Sequence, residues 1–166
     1  MHRAFYFFQA VLKYFPFKLG IFLRRLLYSP FLKEMGKGVV IHDNVIIKFP
    51  AEISLGNNVN IMQGCVLVGG KGLSIGNDVL IGGGTKIVTS THHFENTETP
   101  MRLQGLGFSP IIIENDVWFG FNCVVLGGTT IKTGSIIAAN AVITDSVVEE
   151  FSVMGGVPAK LIKKRR

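Results

Sequence analysis

Two adjacent histidines, His92 and His93, are the side chains of this sequence best suited to moving a proton near neutral pH. An imidazole has an unperturbed pKa of about 6.5, so it can act there as a general base. The chain contains four histidines, and this pair opens a stretch, residues 88–112, in which an otherwise regular repeat is interrupted. Long excursions from a regular scaffold often carry function, so the pair is a candidate catalytic site.

The interrupted repeat has a period of six residues and is clearest between Ile113 and Val148. A bulky apolar residue occupies the first position of each hexad, at Ile113, Phe119, Val125, Ile131, Ile137 and Ile143. The fifth position is occupied by smaller residues, namely Val117, Cys123, Thr129, Ser135, Ala141 and Val147. At about 100° per residue a helix would scatter these positions around its surface, whereas an extended chain places them on one side.

Strands this short must turn every six residues, so the pattern predicts an all-β solenoid whose coils stack about 4.8 Å apart. The repeats begin near Val40 and slip by two residues at 53–54 and again within 68–74. Twenty glycines and only 17% charged residues suit tight corners around an apolar interior. Cys65 and Cys123 fall at the small fifth position, which favours buried filler over a disulfide or a nucleophile.

Both ends of the chain are basic, whereas the repeats between them are mildly acidic. Residues 1–37 carry seven lysines and arginines against Glu34 alone, and residues 155–166 carry five with no acidic residue. Residues 38–154 carry five basic and ten acidic residues. A body with this balance is not typical of a nucleic-acid-binding protein.

Residues 1–33 are aromatic and apolar but are interrupted by Lys13, Lys18, Arg24 and Arg25. Their apolar runs fall short of the ~20 residues that a spanning helix needs, and Pro16 separates one or two amphipathic helices. These helices could cover the open end of the solenoid, contact a neighbouring subunit or lie on an anionic membrane. We therefore expect a helical segment over 1–37, repeats with their excursion loop over 38–154, and a basic tail over 155–166.

The hexads, the segment Ser-Thr-His-His-Phe at 90–94, Asn-Asp-Val-Trp-Phe-Gly at 115–120 and Gly-Gly-Val-Pro-Ala-Lys at 155–160 together resemble the hexapeptide-repeat acyltransferases. The resemblance covers residues 38–166 and is strongest to the galactoside and maltose O-acetyltransferases and to O-acetyltransferases of polysaccharide biosynthesis. It implies a left-handed parallel β-helix, a hand that the hexads alone do not give. It also implies a homotrimer with active sites between adjacent subunits.

The family's chemistry, transfer of an acetyl group from acetyl-CoA to a hydroxyl, requires a base because a sugar hydroxyl hardly ionises at neutral pH. Similarity to the family motif assigns this role to His92, with His93 as the second candidate. Neighbouring residues of an extended segment point in opposite directions, so only one of the two can face the site. The negative charge that develops on the acetyl oxygen also needs a hydrogen-bond donor.

The resemblance further implies which residues contact acetyl-CoA, namely Phe121, Ala139, Thr144, Lys160 and Lys163. Small residues at 138–139 leave room for a thin pantetheine arm, and the tail lysines suit the phosphates of the nucleotide. No metal is expected, because His2, His42, His92 and His93 do not form the three-histidine set of a zinc lyase.

The resemblance does not imply which acceptor receives the acetyl group. Met62 and Gln63 stand where the galactoside and maltose enzymes have an asparagine that meets the acceptor sugar, so their specificity does not transfer. The basic, aromatic N-terminus favours O-acetylation of a surface polysaccharide or a lipid-linked glycan precursor.

Other functions stay open from the sequence. An N-acetyltransferase acting on an amino sugar, including a nucleotide-linked one, would use the same coenzyme groove and the same kind of base. A non-catalytic β-solenoid scaffold is the alternative of another class. The start of the chain lacks the small-residue cleavage site of a signal peptide, so we expect a cytoplasmic location, with peripheral contact to the inner face of the membrane.

Overall fold

The repeats form a parallel β-helix with three faces. The computed structural model describes residues 2–144 and 146–165, so Met1, Asp145 and Arg166 lie outside the described residues, including the outermost positions of the segments expected over 1–37 and 155–166. Two helices, α1 (His2–Leu12) and α2 (Phe17–Tyr28), precede the strands. Short 3₁₀ turns lie at Ser29–Phe31, Pro50–Glu52 and Met101–Leu103.

The strands, numbered along the chain, stack into one sheet per face. Face 1 contains β1 (Glu34–Met35), β4 (Ile53–Leu55), β7 (Leu73–Ile75), β12 (Ile111–Ile113), β15 (Thr130–Ile131) and β18 (Val147–Val148). Face 2 contains β2 (Val40–Ile41), β5 (Asn60–Ile61), β8 (Leu80–Ile81), β13 (Trp118–Phe119), β16 (Ile136–Ile137), β19 (Ser152–Gly156) and β20 (Ala159–Lys164). Face 3 contains β3 (Ile46–Lys48), β6 (Val66–Val68), β9 (Lys86–Val88), β14 (Val124–Leu126) and β17 (Val142–Ile143).

The interior of the β-helix is built from the predicted first and fifth hexad positions. All six first-position residues from Ile113 to Ile143 are buried, and so are the fifth-position residues from Val117 to Ala141. The last hexad departs from the pattern, because Val147 is 57% exposed and Val148 is buried instead. Val148 pairs with Ile131, so the final repeat is one residue shorter than predicted.

Polar residues at the corners hold the turns between strands. Asn58, Asp78 and Asp116 adopt positive φ angles of 57°, 58° and 53° at the corner between faces 1 and 2. Asn and Asp tolerate this left-handed conformation better than other residues with a side chain. The amide of Asn58 also donates to the Asp78 carboxylate of the next coil, at 2.8 Å.

Glycines at the same corner are required by the closeness of neighbouring coils. A Cβ added at Gly56 would lie 2.6 Å from the backbone of Gly76, and one added at Gly76 would lie 2.6 Å from the amide oxygen of Asn115. Such distances are too short for any side chain, so the stacking of the coils itself selects glycine at these positions.

The two N-terminal helices cover the first coil. Phe5 and Tyr28 are fully buried, and the Gln9 side chain accepts a hydrogen bond of 2.6 Å from the Ile47 backbone N–H. The sequence left open where these helices pack. The structure shows that they cap the end of the solenoid. No helix in the described residues is long and apolar enough to cross a membrane.

Arg24, which is only 1% exposed, joins this cap to the coil. Its guanidinium donates to the backbone carbonyls of Ile41, Leu12 and Phe15 at 2.8, 2.8 and 2.7 Å. Burial lowers the pKa of Arg24 below its usual value, but a guanidinium stays charged in proteins. Arg24 thus bonds both to the connection between the two helices and to the coil beneath them.

The far end of the solenoid is closed by the tail. β20 pairs antiparallel with β19 and so extends face 2 by one strand. Arg165 donates to Asp116 at 2.8 Å, and Lys164 donates to the backbone oxygen of Glu150 at 2.7 Å. These two basic residues of the tail are therefore part of the fold.

The Arg24→Met variant tests the cap. Methionine fills similar space but leaves the three carbonyls without their donor, so we expect the free energy of unfolding to fall by about 3 kcal/mol. Urea unfolding measures this change. Tyr28→Phe is the matched control, because in the described residues the buried Tyr28 hydroxyl has no hydrogen-bond partner. Equal stability of both variants would contradict the role given to Arg24.

Candidate active site

The excursion loop is a β-hairpin that leaves the solenoid at the corner between faces 3 and 1. β10 (Ser90–His92) pairs antiparallel with β11 (Leu106–Phe108), with His92 opposite Leu106. The base of the hairpin is fixed to the coil, because the Thr89 backbone N–H donates to Val68 and the Ser109 N–H donates to Thr89. Val88 and Ile111–Ile112 were expected to belong to the excursion but lie in strands of the coil. The excursion is therefore shorter at both ends than predicted.

His92 and His93 have different surroundings on this hairpin. The His93 ring lies over Gly107, where an added Cβ would be 3.1 Å from its Cε1, and its Nδ1 is 3.9 Å from the Glu95 carboxylate. Backbone N–H groups of Glu95 and Phe94 hold the pKa of the Glu95 carboxyl below its usual value. His93 is thus engaged within the hairpin.

His92 is exposed, and the imidazole of His92 makes no hydrogen bond to the described residues. Because successive residues of a strand alternate in direction, its side chain points away from that of His93. The geometry therefore leaves His92 free to meet a group outside this chain.

The corner between faces 2 and 3 is a column of stacked turns that contains two predicted coenzyme contacts. The Asn122 N–H donates to Gly83, and the Asn140 N–H donates to Phe121, so successive coils place residues 83, 121 and 139 above one another. Phe121 is 52% exposed, and Ala139 is also exposed. The column presents small surfaces beside one aromatic ring.

Gly83 and Gln63 belong to this column and were not among the predicted contacts. A Cβ at Gly83 would lie 3.1 Å from the Gln63 oxygen and 3.2 Å from the Phe121 ring. The signal in the sequence is the run of three glycines at 82–84, which marks a place where backbones approach closely. Gln63 was noticed only as a departure from a family pattern.

Thr144 lies at another corner, between faces 3 and 1, together with the hairpin. It follows β17, and its backbone oxygen accepts a hydrogen bond of 3.1 Å from Thr129 in the coil below. Thr144 is exposed. The structure therefore places Thr144 on the side of the hairpin and not beside Phe121 and Ala139.

The two predicted lysines of the tail lie on β20. Lys160 is opposite Gly155 and Lys163 is opposite Val153, and both are exposed. Lys163 lines an open cleft of about 610 Å³ together with Ile136, Val153, Lys164 and Arg165. Since Lys164 and Arg165 have partners in the fold, Lys160 and Lys163 remain available for a ligand among the tail cations that the structure describes.

A single chain therefore does not gather the predicted residues into one pocket. His92 and Thr144 lie at the corner between faces 3 and 1, Phe121 and Ala139 lie at the corner between faces 2 and 3, and the lysines lie on face 2. A site containing all of them requires a second chain that brings its hairpin beside the corner between faces 2 and 3.

The sequence profile of the bacterial transferase hexapeptide family, six repeats, matches residues 110–145. The chain is 34% identical over 122 residues to a probable macrolide acetyltransferase of Lysinibacillus sphaericus, covering 64% of this chain and 67% of that protein. This chain belongs to the hexapeptide-repeat acetyltransferases. The family that the sequence resembled is thereby confirmed.

Two further relatives of this hexapeptide-repeat chain are longer than it is. A probable acetyltransferase of Mycobacterium tuberculosis is 31% identical over 134 residues, covering 80% of this chain and 44% of that protein. A protein of Escherichia coli named as a lipopolysaccharide biosynthesis O-acetyl transferase is 33% identical over 119 residues, covering 68% of this chain and 60% of that protein. The chain thus spans about half the length of these relatives.

Solved structures of the family share the whole fold. A hexapeptide-repeat-containing acetyltransferase from Vibrio cholerae, complexed with acetyl coenzyme A, is 27% identical with a TM-score of 0.83, covering 99% of this chain and 88% of that one. A maltose O-acetyltransferase from Clostridium difficile, 21% identical, has a TM-score of 0.88, with coverages of 99% and 86%. The predicted fold class, a left-handed parallel β-helix with a short helical N-terminal segment and one long excursion loop, is confirmed.

The two cysteines are buried inside the β-helix. Burial raises the pKa of the Cys65 thiol to about 11 and also raises the pKa of Cys123, so both remain protonated at neutral pH. The Cys65 sulfur lies 3.3 Å from the Gly82 carbonyl, and neither cysteine forms a disulfide. Both were predicted as filler at the small position of the hexad.

Thiol labelling tests this assignment. A nucleophile must be a thiolate, and a pKa near 11 leaves only about one thiol in a thousand ionised at pH 8. We expect a chromogenic disulfide reagent to label the native protein at least about 100-fold more slowly than the urea-denatured protein. Rapid labelling of either cysteine in the folded protein would contradict the buried, protonated state.

Proposed function

We propose that this chain is an acetyl-CoA-dependent O-acetyltransferase that acts on a sugar hydroxyl, with His92 as general base. Two observations carry the proposal. The hairpin presents an exposed imidazole, and the fold matches, over 99% of this chain, an acetyltransferase solved with acetyl coenzyme A.

The acyl donor fits the corner between faces 2 and 3. Ala139 and Gly83 present almost no side chain there, and an added Cβ at Gly120 would lie 2.6 Å from the Ala139 backbone nitrogen. The surface is thus flat and close to the backbone, as a thin pantetheine arm requires. Acetyl-CoA supplies an acetyl group held as a thioester, while Lys160 and Lys163 would bind its phosphates and Phe121 its flexible arm.

The proton chemistry rests on His92. Its imidazole would accept the proton of the acceptor hydroxyl as the oxygen attacks the acetyl carbon, and would later return that proton to the departing sulfur. A positioned base of this kind contributes about 10²–10⁴-fold to the rate. His93 is less suited to the role, because its ring is engaged with Gly107 and Glu95 in the hairpin.

A homotrimer would assemble the site. The hairpin and the Phe121–Ala139 corner lie on different edges of one chain, so a neighbouring chain must supply one of them. The outer side of face 2 carries an apolar column in which Leu80, Trp118 and Ile136 are successive partners, with Leu80 49% and Trp118 52% exposed. Such a column is suited to burial between subunits. A cyclic trimer would then contain one site at each junction.

The acceptor we propose is a hydroxyl of a surface polysaccharide or of a lipid-linked glycan precursor, modified in the cytoplasm. The relative named for lipopolysaccharide biosynthesis supports this class. Transfer to an amino sugar is the second candidate, since a histidine base serves an amine as well. Product analysis with hydroxyl and amine acceptors separates these two, and a scaffold would acetylate neither.

The His92→Ala variant tests the proposed base. We expect kcat for acetyl transfer to fall by about two to four decades, because the acceptor proton then has no base, while the Kd of acetyl-CoA and the oligomeric state stay unchanged. Free thiol release measures turnover, and His93→Ala is the matched control, with a loss of less than about tenfold. A His92→Ala enzyme within a few-fold of the wild type would refute the assignment.

A further inference from the structure

The helical cap on the first coil has a second apolar surface that the solenoid does not use. Its inner side contains Phe5 and Tyr28, which are fully buried against the coil. On α1 the opposite side carries Phe7 and Val11, and Tyr14 follows in the turn two residues after the helix ends; their exposures are 66%, 50% and 67%. Covering the end of the solenoid needs only one apolar side, so these residues call for another explanation.

The second helix repeats the arrangement. On α2 the side opposite Gly20 and Arg24 carries Leu19, Phe22 and Leu26, which are 59%, 59% and 56% exposed. Both helices pack their inner sides on the same coil, so their outer sides form one surface, which we call the outer cap surface. It contains Phe7, Val11, Tyr14, Leu19, Phe22 and Leu26. A group of exposed apolar side chains on one side of two packed helices indicates an interaction site.

The charged side chains of the two cap helices have one sign. Residues 1–33 contain no Asp or Glu, and Arg3, Lys18 and Arg25 are exposed on the two helices. Within residues 2–144 and 146–165, the ion pairs of the protein lie elsewhere, at His93–Glu95, Lys132–Glu149 and Arg165–Asp116. Arg3, Lys18 and Arg25 are therefore available to an anionic partner.

A groove beside α2 combines both features. It has a volume of about 480 Å³ between α2 and the start of the first coil. Phe22, Leu26 and Met35 form its apolar part, and Arg25 and Lys37 add positive charge. An acyl chain with a phosphate beside it matches this combination, because phosphate pairs with Arg and Lys while the chain packs against the rings.

We propose that the outer cap surface docks the protein on a membrane that contains anionic phospholipid. Amphipathic helices bind in this way when aromatic and aliphatic residues enter the interface and Lys or Arg pair with headgroups. A second copy of the chain is a poorer occupant, because a symmetric contact would bring two cationic surfaces without acidic residues together. The inference does not depend on the proposed transferase activity.

The docking orients the rest of the molecule. With the cap on the lipid, the coils rise away from the membrane and the hairpin with His92 stands two coils above β3, which the cap contacts. An acceptor attached to a lipid would thus meet the enzyme from the side on which it is anchored. This placement gives a physical reason why the acceptor class proposed above and the outer cap surface occur in one chain.

Vesicle co-sedimentation of the full-length protein tests the proposal. We expect binding to phosphatidylcholine vesicles that contain phosphatidylglycerol, and at least about tenfold weaker binding to pure phosphatidylcholine. The Phe7→Ser/Phe22→Ser variant should lose at least about tenfold in vesicle affinity. The Lys18→Glu/Arg25→Glu variant should lose more vesicle affinity at low salt than at high salt, since salt screens the headgroup contacts.

Matched controls separate the cap from general surface effects. Ile112→Ser/Val147→Ser removes two comparably exposed apolar side chains from face 1, and Lys71→Glu/Lys86→Glu makes the same charge change on the coils. Both controls should bind vesicles within about twofold of the wild type. The proposal is overturned if the wild type binds neither vesicle, or if cap and control variants behave alike. It is also overturned if the Phe7→Ser/Phe22→Ser variant dissociates an oligomer instead, which would make the surface a subunit interface.

Discussion

The structure depends on one constraint, which is that each coil must hydrogen-bond its backbone to the coils above and below at a spacing of about 4.8 Å. Pairs such as Ile41 with Ile61 and Ile61 with Ile81 repeat this contact along face 2. The spacing allows only small residues or a left-handed turn at the corners, which explains the glycines at 56 and 76 and the positive φ of Asn58. It also leaves the first and last coils with unpaired edges that other elements must cover.

The two ends meet this need in different ways. The first coil is covered by α1 and α2, with the charged side chain of Arg24 bonding to a coil carbonyl from inside the cap. The last coil gains a strand, β20, whose Lys164 bonds back to the body, as does Arg165 directly after it. Each cover also has an outer surface, and these surfaces are where we place the membrane contact and the phosphate-binding lysines. In each terminal segment, the inner side thus covers an end of the solenoid, and the outer side carries the proposed binding residues.

The rigid coil also explains why the proposed site is divided. A strand of two or three residues offers no room for a pocket within one chain, so reactive groups must extend from the coil or lie in a groove between chains. His92 extends on a hairpin whose base is hydrogen-bonded to the coil, while Phe121 and Ala139 remain in stacked turns. In the proposed site, rigid turns would hold the donor groove and the hairpin would present His92 to a neighbouring chain.

The fold could be predicted because hexad spacing reports directly on burial. Ile113 and Phe119 are interior residues as expected, and the prediction was wrong where a repeat lost one residue before Val148 and at the limits of the excursion, where Val88 and Ile111 lie in coil strands. The same spacing could have separated Thr144 from Ala139, since the four residues between them include the strand Val142–Ile143 and so cross one face. The inner contacts of the cap could not be predicted, because hydrophobic periodicity does not show which side of α2 meets the coil or that Arg24 would be buried. The roles of His92, Phe121, Ala139, Thr144, Lys160 and Lys163 remain predictions.

Calorimetric titration of the folded protein with acetyl-CoA tests the central claim most directly, because it needs no knowledge of the acceptor. The account predicts saturable binding of one acetyl-CoA per chain. Folded, oligomeric protein that releases no heat and shows no saturation with acetyl-CoA would contradict the proposed transferase and favour a scaffold.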